Sequence, residues 1–139
     1  MESIKNGNLI FLRFDNGEDF LLELNNYLTR ENINSGVFLS GIGMFKNFKI
    51  GWFNTQKEKY QTDSFKIPHE LISLSGNISI KDSEIFSHIH ISLAGEDKKV
   101  IGGHLFNAEV CNTVELFINV SEIQLYRKKG NIFRPLSFK

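Results

Sequence analysis

Residues 86–94 read Phe-Ser-His-Ile-His-Ile-Ser-Leu-Ala, in which polar and apolar side chains alternate strictly from His88 to Leu93. A period of two fits a β-strand and no helix. A second strand-like run, Val100-Ile-Gly-Gly-His-Leu105, follows across the short polar segment Gly95-Glu-Asp-Lys-Lys99. Three of the four histidines lie on these two runs. If the five-residue segment is a hairpin loop, Ala94 faces Val100 and His90 lies directly opposite His104. His88 shares a face with His90 and becomes the diagonal neighbour of His104. Opposed residues bring their Cβ atoms to about 4.5–5.5 Å and diagonal ones to roughly 7–8 Å or less. Three imidazoles then converge on one face, as in a three-histidine metal site with one position open. Ile89, Ile91, Leu93, Ile101 and Leu105 take the opposite parity and form an apolar backing. A loop one residue longer or shorter turns His104 to the other face. A bulge at Gly102-Gly103 has the same effect, and the plain alternative is a half-exposed polar strand face.

The chain has 139 residues, zero formal net charge and one cysteine. That length suits one domain over residues 1–139, with a core over about 9–125 and a C-terminal tail over about 127–139. Thirteen Phe against one Trp and three Tyr point to a core built largely from Phe. Zero net charge provides no global field for nucleic acid or anionic membranes. Cys111 excludes an intrachain disulfide and reads as a buried, inert thiol. No secretory leader and no membrane-length apolar run are visible, so the expected location is cytoplasmic.

Leu9–Phe14 suits a strand. Asp15 with Glu18 three residues on resembles a capping box, and Phe20, Leu21, Leu24, Tyr27 and Leu28 mark one face of an amphipathic helix. Asn32, Asn34 and Gly36 end that helix. Val37–Ile42 reads as a buried strand, with a bend or bulge at Gly41-Ile-Gly43. This glycine pair lacks the third glycine of a dinucleotide loop. Phe45–Phe53 resumes as a strand, and residues 57–62 form its polar hairpin partner. Alternation marks further strands at Ile72–Ile80, across a turn at residues 81–84, at Val114–Val120 and at Ile123–Tyr126. Lys128-Lys129 reads as a solvated turn, and the apolar residues after it suggest that the tail docks. One main amphipathic helix among many strands predicts an α/β domain of the α+β type with a central, largely antiparallel β-sheet. One sheet face then lacks intrachain cover, which a symmetric subunit partner would provide.

Five segments occur in order: residues 18–21 (Glu-Asp-Phe-Leu), 35–43 (Ser-Gly-Val-Phe-Leu-Ser-Gly-Ile-Gly), 73–79, 88–94 and 101–105. Together they resemble the plants-and-prokaryotes-conserved (PPC or PCC) domain family over roughly Leu9 to Leu125. The His-x-His and Gly-Gly-His elements carry the resemblance most specifically. It implies a homotrimer and, as in some prokaryotic members, a zinc ion on His88, His90 and His104. Plant members carry AT-hooks before this domain and use it for self-association and for binding transcription factors. Here the only Arg-Pro, Arg134-Pro135, lacks the flanking glycines of a hook, so minor-groove reading does not transfer.

Three functions are weighed. The first is a binding and assembly module with protein partners and no catalytic residues. The second is a metal-dependent enzyme using a zinc-bound water, which needs a nearby acid or base. For that role Glu96 and Asp97 read as turn residues, Glu109 and Glu115 qualify by residue type only, and His69 reads as a loop histidine. The third is a DNA-associated regulator. Four arginines and zero net charge weigh against direct DNA binding, because Lys and Arg contacts to phosphate supply most non-specific affinity. The first function is preferred, and a regulatory role is counted with it.

Overall fold

The computed structural model describes residues 1–130 and 132–139. Its elements run β1 (Glu2–Asn6), β2 (Leu9–Asp15), α1 (Phe20–Arg30), β3 (Gly36–Asn54), β4 (Lys59–Phe65) and β5 (His69–Lys81). Then follow β6 (Glu84–Ala94), β7 (Val100–Val120), β8 (Leu125–Arg127) and β9 (Leu136–Phe138). This is the expected α+β arrangement, one helix on a large and mostly antiparallel sheet. The one parallel pairing among the described residues joins β5 to β8.

The pairings close on themselves. Strand β3 pairs with β5 and β7, while β6 pairs with the other side of both. Long strands make this possible. Apolar stretches that the sequence breaks at glycines run on as single strands, 19 residues in β3 and 21 in β7. The breaks appear as register shifts, including those between Phe38 and Ser40 and between Gly43 and Phe45. Each bulge bends its strand without ending it.

The core is rich in Phe, as composition implies. Phe14 meets Phe20 at 4.8 Å between ring centroids, and Phe20 meets Phe45 at 5.0 Å. Helix α1 buries Phe20, Leu24, Tyr27 and Leu28. Its cap is Asp19, whose carboxylate accepts from the Leu22 N–H at 3.1 Å, and not Asp15. Asp15 is still paired in β2 with Thr113 of β7. Glu18 does reach back to the Asp15 N–H at 2.8 Å, so the capping-box pattern closes the turn before the helix.

One more expectation is corrected, and the tail docks as its apolar residues suggest. Val37–Ile42 is half-exposed, with Val37, Leu39 and Ile42 at 41%, 53% and 50% exposure. Its alternate residues cover the core while these face outward. The tail forms a β8–β9 hairpin, with Leu125 opposite Phe138, and Tyr126 of β8 joins Ile80 of β5. No helix among the described residues is long and apolar enough to cross a membrane.

Two glycines bring β7 close to its neighbours. A Cβ on Gly102 would sit 2.6 Å from the Ile91 carbonyl oxygen, and one on Gly103 would sit 2.7 Å from that of Gly51. Both obstacles are backbone, so a side chain forces strands apart. Gly103→Ala should therefore cost about 1–3 kcal/mol in urea unfolding, the usual range for overpacking. An unchanged midpoint would show that β3 and β7 tolerate wider spacing.

Candidate metal centre

The hairpin register is the one the loop length predicts. Ala94 pairs with Val100 and His90 with His104, with no shift between them. Ile89, Ile91, Leu93 and Leu105 are buried behind the histidines, and Ile101 is partly buried. His104 sits where β7 passes from one partner to the next, pairing with His90 of β6 and Gly51 of β3.

The three imidazoles meet. Ring centroids lie 5.0 Å apart for His88 and His90, 5.1 Å for His88 and His104, and 5.5 Å for His90 and His104. One ring nitrogen from each lies within 4.8 Å of the others, a group that could hold a metal ion. Tetrahedral zinc with nitrogens at about 2.0–2.1 Å needs a tighter triangle, so small ring rotations must draw the nitrogens inward. His88 and His104 are half-buried and His90 is exposed, which leaves the trio open on one side.

The donor set suits a cation that takes neutral imidazole. Burial, helped by the Arg127 charge and the other two histidines, pushes His88 from 6.5 down to about 4. Burial, then His90, Arg127 and Lys81, push His104 from 6.5 down to about 4. Both rings are thus unprotonated at neutral pH, the form that ligates a metal. Nδ1 of His104 is buried and has no hydrogen-bond partner. A buried polar atom is normally satisfied, so this nitrogen lacks a partner that a metal or an ordered water would supply.

The trio lies in a cleft of about 780 Å³. Aromatic rings form much of its wall. Tyr60 and Phe106 lie 5.1 and 4.9 Å from the His104 ring, and Phe86 stacks on His88 at 6.2 Å. Gly51 makes room for this wall, because a Cβ there would lie 2.7 Å from the Phe106 ring. Lys81, Arg127 and Arg134 also line the cleft, and no carboxylate does among the described residues.

The other candidates lie elsewhere. Glu96 and Asp97 occupy the exposed loop beyond Ala94, where Asp97 accepts from the Lys99 N–H at 3.1 Å. Glu109 is paired with Lys46 at 3.0 Å and accepts from Asn47 at 2.7 Å. Glu115 lies opposite Arg13 of β2 and Ile42 of β3. His69 is no loop residue. It begins β5, is 8% exposed, and sits edge-on to Phe48 and Phe65 with Nδ1 3.0 Å from the Ile67 carbonyl. Cys111 is half-buried rather than buried. Sequence reasoning missed Lys81 and Arg127. One read as part of a turn and the other as part of a polar tail, and the only available signal was their flanking of the histidine strands.

Fold and site together define an α+β domain with an open three-histidine centre on one face of its sheet. The Plants and Prokaryotes Conserved (PCC) domain model matches residues 1–122, and the chain belongs to that family. A PPC protein from Pyrococcus horikoshii is 35% identical, with a TM-score of 0.83 over 94% of each chain. A metal-containing protein from Archaeoglobus fulgidus is 32% identical, with a TM-score of 0.84 over 97% of this chain and 95% of that one. A Bacteroides thetaiotaomicron protein, provisionally described as DNA-binding, is 23% identical, with a TM-score of 0.91 over 99% and 96%, and shares the fold. Comparison with curated protein sequences returns no match.

The depressed histidines make stability depend on pH. Between pH 6.5 and about 4 the unfolded chain binds protons at His88 and His104 that the folded chain refuses. Their support for the metal-free fold is complete above pH 6.5 and is lost as pH falls through that window. The Tm of metal-free protein should fall from about pH 7 to about pH 4.5, and His104→Gln should flatten the slope. Equal slopes for both proteins would contradict the assigned burial.

Proposed function

We propose that the chain is a self-assembling metal-binding module. It forms a homotrimer, holds one transition metal ion, zinc, on His88, His90 and His104 of each subunit, and presents a surface to protein partners. The observation that carries this reading is the meeting of three ring nitrogens within 4.8 Å. The partnerless Nδ1 of His104 adds to it, as does the A. fulgidus relative that is named metal-containing. Zinc is the first choice because it favours imidazole with an open fourth position and needs no redox partner. Nickel, copper and iron use the same donor, and metal analysis separates them.

Assembly is supported by the outer face of the sheet. Val37, Leu39, Ile42 and Phe117 are 40–53% exposed on adjacent strands β3 and β7. Contiguous apolar surface of this kind marks an interaction site in a soluble protein. One cross-sheet row runs Leu9, Asn119, Val37, Asn77, His88, so the apolar face is continuous with the metal face.

A binding role is preferred to catalysis. A hydrolytic zinc water needs a proton acceptor, and no carboxylate lines the cleft among the described residues. Direct DNA binding is disfavoured by zero net charge and by four arginines, two of them committed to this cleft. A cytoplasmic location belongs to the same reading, since a single thiol needs no oxidising compartment.

Untagged protein should contain close to one metal ion per chain by mass spectrometry. Zinc at about 100 times its Kd should add about 2.7 kcal/mol of stability, seen as a raised Tm. The double variant His88→Ala with His104→Ala should lose that increment, and its survival would place the ion elsewhere. Light scattering should give three times the 16.0 kDa of one chain. A monomer would remove the assembly half of the reading. AT-rich duplex should show no shift at low salt.

A further inference from the structure

Two cations, Arg127 and Lys81, flank the histidine trio with no carboxylate among the residues that line the cleft with them. Arg127 Nε donates to Ser79 Oγ at 3.3 Å and its NH2 group donates to Asn77 Oδ1 at 2.7 Å, both neutral partners. Lys81 Nζ lies 4.6 Å from the Phe86 ring centroid, and Arg127 Cζ lies 5.6 Å from the same centroid. Two like charges therefore share one aromatic ring, and that ring stacks on His88. Among the described residues neither cation has a carboxylate within ion-pair distance, whereas the neighbouring Arg134 is paired with Asp82. Burial holds the Arg127 guanidinium below its ordinary value, as expected of a charge that has lost water and gained no counter-ion. A divalent ion on the histidines would deepen the same imbalance.

We propose that the cleft binds a small molecule bearing an oxyanion, a carboxylate or a phosphate, with the anionic group set between Arg127 and the open position of the metal. The inference rests on the metal-binding reading and names the ligand class of that site. Arg127 is suited to the task. Its planar fork is oriented by Asn77 and Ser79, and the N–H groups they leave free match an oxyanion's geometry. Lys81 supplies a second, less directional charge. The cleft volume of about 780 Å³ falls in the range of small-ligand sites, and Phe53 and Phe133, with centroids 4.5 Å apart, provide an apolar wall for the rest of the molecule.

Cobalt-loaded protein tests this directly, since the visible bands of cobalt(II) report its ligands. Benzoate and inorganic phosphate are titrated separately at millimolar concentrations. A saturable band change with either one supports the proposal, and the more effective probe identifies the anionic group. Arg127→Gln should keep the starting cobalt spectrum and weaken the anion by about tenfold or more, the loss expected for a charge-assisted hydrogen bond. Arg127→Lys should restore part of the affinity, and a full fold is verified by the intact cobalt bands of each variant. Wild-type bands that ignore both anions overturn the proposal while leaving the metal centre in place. Equal anion affinity in wild type and Arg127→Gln overturns the role of Arg127. A protein that takes up no cobalt overturns the metal-binding reading, and this inference with it.

Discussion

The pairing of Ala94 with Val100 is the contact on which the rest of the site depends. Side chains alternate faces along a strand, so this one pairing decides where residues 88–94 of β6 and 100–105 of β7 point. It places Ile89, Ile91, Leu93 and Leu105 in the core and turns His88, His90 and His104 outward together. Two forces hold it there. A slip by one residue would expose those apolar side chains and bury the imidazoles. The glycines at 102 and 103 let neighbouring backbones approach more closely than any Cβ would permit.

The same strands tune the chemistry of the histidines. His104 lies at the point where β7 exchanges β6 for β3, with rings of Tyr60 and Phe106 against it. That apolar shell excludes water, and exclusion of water keeps imidazoles neutral. Arg127 and Lys81 act in the same direction through charge. Packing, register and electrostatics thus agree on one outcome, neutral imidazoles at His88 and His104 facing an electropositive cleft. A cation with an anion beside it would satisfy both halves of that arrangement.

Local patterns in the chain were read correctly where one short segment carried the whole signal. The helix from Phe20, the turn at 81–84 and the histidine hairpin belong to this class. The errors came where a distant segment decided. Asp15 looked like a helix cap, but its pairing with Thr113 keeps it in a strand. Val37, Leu39 and Ile42 looked buried because their neighbours are apolar too, yet only one face of β3 meets the core. His69 looked like a loop residue beside Pro68, and the Phe48 and Phe65 rings enclose it. Strand β1 carried no apolar signal, since all five of its residues are exposed and its pairing with β2 supplies the structure.

Sequence by itself determined the α+β class, the family and the convergence of three imidazoles, because alternation and an odd loop length leave a hairpin one register that buries its apolar face. Tertiary structure alone decided what surrounds that trio. Arg127 comes from β8 and Lys81 from the end of β5, and they meet at Phe86 only because a three-residue strand pairs beside Ile80. Contacts between segments 46 residues apart have no periodicity to announce them; they follow from how a closed ring of strands folds its tail back over one face.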